Sequence, residues 1–317
     1  MSKKVTVLGF YGKKNTGDEA YKLAFPLIFP NFDFHFTDKL ENVHDYVFLG
    51  GGNVLQSYFI NQLSSINIPK YAMSVNAHAK DVAKYSHIFE KMFIRNMCEG
   101  VKQVPDYTFV LSPDRQNGKN LIRNIFQSQK ADLYSRVIVV VMNAYVCSDH
   151  ASLARDHINF DKVCYDLAKI MDTTSASFLF LPFGNGFPHN DRIANSFLYS
   201  KCKFWNKNAI LYDEITVLDT LDIMAACNMS IGTRLHSAIF SCIGGTPFID
   251  IGHHDKSKLF LETINKDWGI NYWHFNSDKT KALIDDFLVN EDSYREELLK
   301  IAARNKDELT TLQLEIL

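Results

Sequence analysis

The chain has no apolar run approaching the roughly 18 residues that a bilayer span requires. It also has no CxxC pair and no cysteine spacing of a structural metal knuckle. No internal repeat of roughly 20–50 residues and no low-complexity tract is present, which excludes solenoids and long disordered tails. An excess of one charge is missing too. The 34 Lys and Arg stand against 36 Asp and Glu, a net charge of −2. That balance excludes a protein whose whole surface grips nucleic acid, although a local basic groove stays open. The opening Met1-Ser2-Lys3-Lys4-Val5 runs straight into a strand pattern without a signal-peptide core. Cys98, Cys147, Cys164, Cys202, Cys227 and Cys242 read as reduced thiols, most of them in apolar contexts. The expectation is a cytoplasmic protein without a membrane span.

What is present is ordinary globular material: 317 residues, 46% hydrophobic and 22% charged. This length suits two domains of roughly 150 residues each. The 24 Phe and 14 Tyr promise large cores and an aromatic-lined cleft. In the first half, strands are expected at Val5–Leu8, Phe32–Phe36, Tyr46–Leu49, Tyr71–Val75 and Thr108–Leu111. Helices are expected at Glu19–Phe29, Val54–Leu63, Ala79–Glu99 and Asn120–Gln129. In the second half, strands are expected at Val137–Met142, Ser177–Leu181, Ala209–Tyr212, Met229–Ile231 and Pro247–Ile251. Helices are expected there at Phe160–Met171, Leu218–Ala226, Leu235–Ile243, Asp278–Val289 and Ser293–Leu317. Strand–helix alternation predicts parallel sheets covered by helices. The predicted fold is therefore α/β: two Rossmann-like, doubly wound domains facing a cleft, closed by a C-terminal amphipathic helix. The expected domains are 1–130, on the acceptor side, and 131–317, which binds the donor. In such folds ligands sit beyond the carboxyl ends of the strands.

The most informative stretch is Gly232-Thr233-Arg234-Leu235-His236, lying between two buried strands. It places a fixed cation and a titratable imidazole at a helix N-terminus, where free N–H groups and the helix dipole already favour an anion. Taken singly, Arg234 reads as a surface ion pair and His236 as a core histidine; together they read as a site. After the strand that follows come His253, His254, Asp255 and Lys256. Adjacent histidines rarely face one metal ion, so His254 and Lys256 read as anion contacts and no metal is expected. The segment Pro182–His189 also follows a strand and reads either as cleft lining or as a surface turn.

Two loops of the first half follow strands. One runs Gly9-Phe10-Tyr11-Gly12-Lys13-Lys14-Asn15-Thr16-Gly17-Asp18-Glu19. Gly12 and Gly17 have P-loop spacing, but Asp18-Glu19 replace the Lys-Ser/Thr that would hold a phosphate, which excludes an ATPase. Asp18 reads either as a helix cap or, with Glu19, as the acceptor of a proton from a substrate hydroxyl. The second loop is Gly50-Gly51-Gly52-Asn53. Three glycines there point to close passage of backbone or ligand, with amides free for a phosphate or sugar oxygen.

These residues resemble the polysaccharide pyruvyl transferase family. The resemblance rests on Gly9-Phe10-Tyr11-Gly12, Asn15 and Gly17-Asp18-Glu19-Ala20, then Gly50 to Gly52, Pro105-Asp106, Gly232 to His236, and Lys256, in the family's order across Val5 to Ile264. It implies a two-domain fold like the GT-B glycosyltransferases. It also implies transfer of the enolpyruvyl moiety of phosphoenolpyruvate to sugar hydroxyls, forming a cyclic ketal and releasing phosphate. Arg234 would then neutralise the donor, His236 would act as its general acid and Lys256 would add positive charge, with no bound cofactor and no metal required. Three positions depart from the family pattern. Asn143 stands where an arginine is expected, Ser74 to His78 replace a glycine-rich turn, and Arg95-Asn96 replaces Arg-Asp. The neutral Asn143 keeps open a glycosyltransferase that uses a nucleotide sugar such as a UDP-sugar, with a glycan or a hydroxylated DNA base as acceptor. The clusters Lys13-Lys14 and Lys201, Lys203, Lys207 would serve the DNA case. A non-catalytic sugar- or nucleotide-binding protein is the remaining alternative. The partners expected are a small-molecule donor and a saccharide acceptor.

Overall fold

The computed structural model describes residues 3–143, 154–186, 189–252 and 255–312. The chain divides into two compact units, Met1–Leu111 with Ala303–Leu317, and Ser112–Ala302. The helix Arg115–Ser128 therefore groups with the second unit, and residues from Ala303 onward group with the first.

The first unit is built on β1 (Lys3–Leu8), β2 (Phe32–Thr37), β3 (Tyr46–Gly52), β4 (Lys70–Val75), β5 (Lys91–Ile94) and β6 (Lys102–Gln103). All pair in parallel, in the order β2-β1-β3-β4-β5-β6. Strands buried on both faces explain the near-continuous apolar runs of β1 and β3. Helices α1 (Thr16–Ile28), α2 (Ser57–Leu63) and α3 (Ala79–Tyr85) join them. In α1 the buried Ala20, Tyr21, Ala24, Phe25 and Ile28 recur at helical spacing. The Phe25 ring packs on Phe34, Phe36 and Phe48 at centroid distances of 5.6, 5.9 and 6.1 Å.

Several expected elements differ. Residues 79–99 are not one helix: α3 ends at Tyr85, and Met92-Phe93-Ile94 enter the sheet as β5. A three-residue apolar run is too short to show a period of its own, so pairing with β4 decides its state. The strand expected at Thr108–Leu111 is a 3₁₀ turn over Tyr107–Val110, fixed by the Asp106 side chain accepting from the Thr108 amide at 3.0 Å. The three glycines form the end of β3, and the next helix begins at Ser57, so their amides do not open it.

The second unit contains β7 (Val137–Val141), β8 (Ser177–Phe180), β9 (Asn185–Gly186), β10 (His189–Asn190), β11 (Asn208–Ile210), β12 (Met229–Gly232), β13 (Phe248–Gly252) and β14 (Gly269–Asn271). Six of them form a parallel sheet in the order β11-β8-β7-β12-β13-β14, and β9 and β10 form a separate antiparallel pair. In sequence rank the sheet reads 3-2-1-4-5-6, the doubly wound dinucleotide-domain order. Its helices are α4 (Arg115–Ser128), α5 (Ala154–Thr173), α6 (Asp191–Lys201), α7 (Val217–Ala226), α8 (Leu235–Gly244), α9 (Asp255–Thr263), α10 (Ser277–Val289) and the start of α11 (Glu291–Thr311). Helices α6 and α9 and strand β14 were not expected from the sequence.

The two sheets reverse direction at one point each, between β1 and β3 in the first and between β7 and β12 in the second. Ligands of open α/β sheets bind at such switch points, where the loops leaving neighbouring strands splay apart. All the loops singled out above on the glycine-rich segments leave these strands.

Helix α4 is fastened to α7. Asp222 takes the Asp114 amide on Oδ1 at 2.6 Å and the Asn117 amide group on Oδ2 at 2.8 Å. Gly118 makes the close approach possible, since a Cβ there would lie 2.0 Å from the Asp222 carbonyl oxygen. Gly118→Ala is expected to lower stability by about 1–3 kcal/mol through overpacking, despite the higher helix propensity of alanine. Urea unfolding followed by circular dichroism measures it.

Candidate functional site

In the second unit, β12 ends at Gly232, and α8 begins almost at once. A Cβ on Gly232 would lie 2.3 Å from the Ser237 Oγ, so only glycine lets the first turn of α8 fold down onto the strand end. The Thr233 amide donates to the Val141 carbonyl at 2.9 Å, and the Asn143 amide donates to the Thr233 Oγ1 at 2.7 Å. These two bonds stitch the ends of β7 and β12 together at the switch point. Asn143 and Thr233 are both buried.

Arg234 is the extended N-cap residue of α8. Its side chain does not point freely outward. Its Nε donates to Asp191 Oδ2 at 3.0 Å and one Nη donates to Asp191 Oδ1 at 2.6 Å, a bidentate pair with a fully buried carboxylate. Asp191 opens α6, and its Oδ2 also accepts the amides of Phe183 and Gly184 at 3.1 and 2.8 Å. One edge of the guanidinium is thus spent on orientation, and the side chain keeps 16% exposure. His236 lies in the first turn of α8, half-buried, with its ring edge-on to Phe240 at 6.3 Å. Lys256 is in the first turn of α9 and half-buried. His253 and His254 lie outside the described residues.

Asp250 is the buried acid that the sequence reading passed over. It sits in β13 with its Cα in register with Gly232. Its Oδ1 has no hydrogen-bond partner. Burial pushes its carboxyl up to about 7, against the opposing effects of the Ser257 hydrogen bond and the Lys256 charge. A lone acid inside Phe248-Ile249-Asp250-Ile251 was a readable signal, because an unpaired carboxylate is costly in an apolar strand. Asp191 carried no comparable signal, since an Asp in the first turn of a helix is commonplace.

In the first unit, the loop after β1 is held by α1. Asn15 is the N-cap of α1, accepting from the Gly17 amide at 3.1 Å, so the capping role expected for Asp18 belongs to Asn15. Glu19 accepts the Gly12 amide at 2.6 Å and pairs with Lys22 at 2.6 Å, closing the loop on itself. Gly12, Gly51 and Gly52 have φ of +76°, +83° and +86°, which only glycine adopts without strain. Asp18 is half-buried, and its Oδ1 lies 3.0 Å from where a Cβ on Gly52 would be. Asn53 is exposed beside it. Asp18 and Gly52 are thus brought together, as are Arg234, His236, Thr233 and Asn143 within the second unit. Arg95, Asp106 and Tyr21 form a buried group that the sequence did not announce. Arg95 Nη1 donates to Asp106 Oδ2 at 2.6 Å, and the Tyr21 hydroxyl donates to the same oxygen at 2.7 Å.

Among the described residues no group of three or more His, Cys, Asp or Glu is arranged to hold a metal ion. None of the described helices is long and apolar enough to cross a membrane.

The Asp250 carboxyl yields a pH prediction. Its folded value lies above its unfolded one, so between about pH 4 and 7 the folded state binds the extra proton and stability falls as pH rises. At most about 4 kcal/mol is lost across that window. Asp250→Asn should flatten this decline and leave the protein more stable than wild type at pH 8, as denaturant unfolding at pH 5 and pH 8 would show.

Comparison with known proteins follows the same lines. A stretch of Amylovoran biosynthesis protein AmsJ of Erwinia amylovora is 42% identical over 52 residues, 16% of this chain. The match spans 12% of the length of AmsJ. Among solved structures, the S. aureus MnaA–UDP complex superposes with a TM-score of 0.59 at 9% identity, covering 94% of this chain and 91% of that one. Glycyrrhiza uralensis UGT73P12 complexed with glycyrrhetinic acid 3-O-monoglucuronide gives 0.58 at 9% identity, covering 99% and 94%. MurG of Acinetobacter baumannii gives 0.53 at 10%, covering 98% and 99%. These likenesses establish a GT-B-like fold of two parallel six-stranded sheets, as the family resemblance implied. The model of the polysaccharide pyruvyl transferase family matches residues 81–255, more than half of the 317 residues, and the chain belongs to that family.

Proposed function

We propose that this protein moves a pyruvyl group from phosphoenolpyruvate onto the hydroxyls of a saccharide, releasing phosphate. The observation that supports it most is the Arg234 turn. A guanidinium fixed by a buried carboxylate stands at the N-terminus of α8, with an imidazole two residues further on, at the switch point of the sheet. The remaining guanidinium edge, the positive end of the α8 dipole and the Lys256 ammonium form the charge set for an anionic donor. Gly232 and Thr233 shape its floor, and Asn143 borders it. In this reading His236 delivers a proton to the donor's methylene carbon while a hydroxyl oxygen bonds to the adjacent carbon. Asp18 takes the proton of that hydroxyl. A second hydroxyl closes the ketal as the bond to phosphate breaks, and its proton leaves with the phosphate. Glu19, engaged with Gly12 and Lys22, holds the Asp18 loop in shape. The Gly12, Asn15, Gly17, Gly51, Gly52 and Asn53 segments present the acceptor side.

A nucleotide-sugar donor is the second reading, and two observations favour it. Asn143 is neutral, and Asp191 already offsets much of the Arg234 charge. Such a site suits a larger, more dispersed anion than phosphoenolpyruvate.

Thermal unfolding with each ligand separates the readings. Phosphoenolpyruvate at a hundredfold excess over its dissociation constant should add about 2.7 kcal/mol of stability; stabilisation by UDP alone would assign the donor to the second reading. His236→Asn should lower kcat about 10²–10⁴-fold with donor affinity little changed. An undiminished kcat would remove the general-acid role.

A further inference from the structure

The first unit pins an arginine differently from Arg234, and the difference leaves a donor unmet. Arg95 follows β5, at the C-terminal edge of the sheet, and its side chain is 9% exposed. Its amide donates to the Val75 carbonyl at 2.9 Å, and its carbonyl accepts Gln103 Nε2 at 3.2 Å, so the backbone there is tied to β4 and to β6. The next residue, Asn96, brackets the Ala77 peptide, accepting its amide at 3.0 Å and donating to its carbonyl at 2.5 Å. The Asn76 amide in turn donates to the Gly52 carbonyl at 2.9 Å. The segments leaving β3, β4 and β5 are thus laced into one rim, on the side where open α/β sheets receive their ligands.

Among the described residues, the Arg95 guanidinium bonds through Nη1 alone, to Asp106 Oδ2 at 2.6 Å and to the Tyr21 hydroxyl oxygen at 3.4 Å. A carboxylate offers about four lone-pair sites. Those of Asp106 are taken, Oδ2 by Arg95 and the Tyr21 hydroxyl, Oδ1 by the amide and hydroxyl of Thr108 at 3.0 and 2.6 Å. Asp106 therefore does not close the fork as Asp191 does on Arg234, where one oxygen takes Nε and the other takes Nη2. Arg95 Nε is buried and has no hydrogen-bond partner. A buried charged donor without an acceptor is costly, and a purely structural clamp would have used it.

The end of β4 is deformed around this group. A register shift between Met73 and Val75 bulges the strand at Ser74, whose φ of +53° is a left-handed backbone rare for serine. Its Oγ accepts the Tyr107 amide at 3.2 Å and lies 3.3 Å from the Tyr21 hydroxyl. Asp106, Tyr21 and Ser74 together hold the guanidinium in one orientation. Tyr21 stands one turn of α1 after Asp18, on the same side of the helix.

We propose that Arg95 binds an oxyanion, a carboxylate or a phosphate, carried by the acceptor saccharide, through the Nε edge that Asp106 leaves open. The acceptor is then an acidic sugar, of the uronate or sugar-phosphate class. A planar carboxylate would meet this edge as Asp191 meets that of Arg234, with two parallel hydrogen bonds. The inference rests on the reading of the first unit as the acceptor side.

The test is nitrogen-15 NMR of the Arg95 Nε–H group in the full-length chain, assigned by its absence from Arg95→Lys and titrated with glucose, glucuronate and glucose 1-phosphate. Glucuronate or glucose 1-phosphate, and not glucose, should shift this signal and slow its exchange with water. A response to glucuronate alone assigns a carboxylate, and a response to glucose 1-phosphate alone assigns a phosphate. The dissociation constant of the responding sugar, read from the Ala77 and Asn96 amides, should rise about tenfold or more in Arg95→Met. R95K keeps the charge without the fork and should recover only part of that loss. Where R95M leaves Asp106 uncompensated and fails to fold, the double variant R95M/D106N removes both charges and gives the same reading. An Nε–H signal moved by neither anion, or moved equally by glucose, overturns the proposal. Undiminished turnover in Asp18→Asn overturns the acceptor-side reading and the acceptor assignment with it, while the titration decides the oxyanion site separately.

Discussion

The candidate donor site depends on one buried ion pair, Arg234 with Asp191. An arginine at a helix N-terminus is placed against the local dipole, so something must hold it there. The fully buried Asp191 does so with bidentate geometry, and its own charge is met by the Phe183 and Gly184 amides. Removing one member of such a pair leaves an uncompensated charge and costs about 3–5 kcal/mol. The pair therefore couples the fold of the second unit to the direction in which the guanidinium faces. It also reduces the charge left for a ligand, so the anion must be met by several partial contributions: the free guanidinium edge, the α8 amides and Lys256.

Topology explains why chemistry-bearing residues gather where they do. In the second unit the switch point brings Asn143, leaving β7, against Thr233, leaving β12. In the first unit it brings the loop after β1, carrying Asp18, against the glycines that end β3. Each pair is far apart in sequence and adjacent only because β1 and β7 are central strands. Glycine at 52 and at 232 serves one end by two routes. At 52 it accepts a left-handed backbone beneath a carboxylate, and at 232 it makes room for the Ser237 hydroxyl.

Much of this was legible in the residues. The valines of β7, the alternation of strands and helices, and the Gly-Thr-Arg-Leu-His turn stood out because their signals are local. Elements whose state is decided by distant partners did not. Strand β5 is four residues long and exists through pairing with β4, while Thr108–Leu111 became a turn because Asp106 captures the amide and hydroxyl of Thr108. The partners of the expected site residues were hidden for the same reason. Asp191 lies 43 positions before Arg234, a spacing that marks no pair. Asp250 alone among the missed acids announced itself, as a charge inside an apolar strand.

The most direct measurement of the central claim is equilibrium binding of radiolabelled phosphoenolpyruvate to wild type, Arg234→Gln and Asp191→Asn, each first shown by circular dichroism to be folded. An anion site built on the Arg234–Asp191 pair predicts saturable binding to wild type and its loss, by tenfold or more in affinity, in both variants. Undiminished binding in either folded variant, or none in wild type while UDP binds, would contradict it.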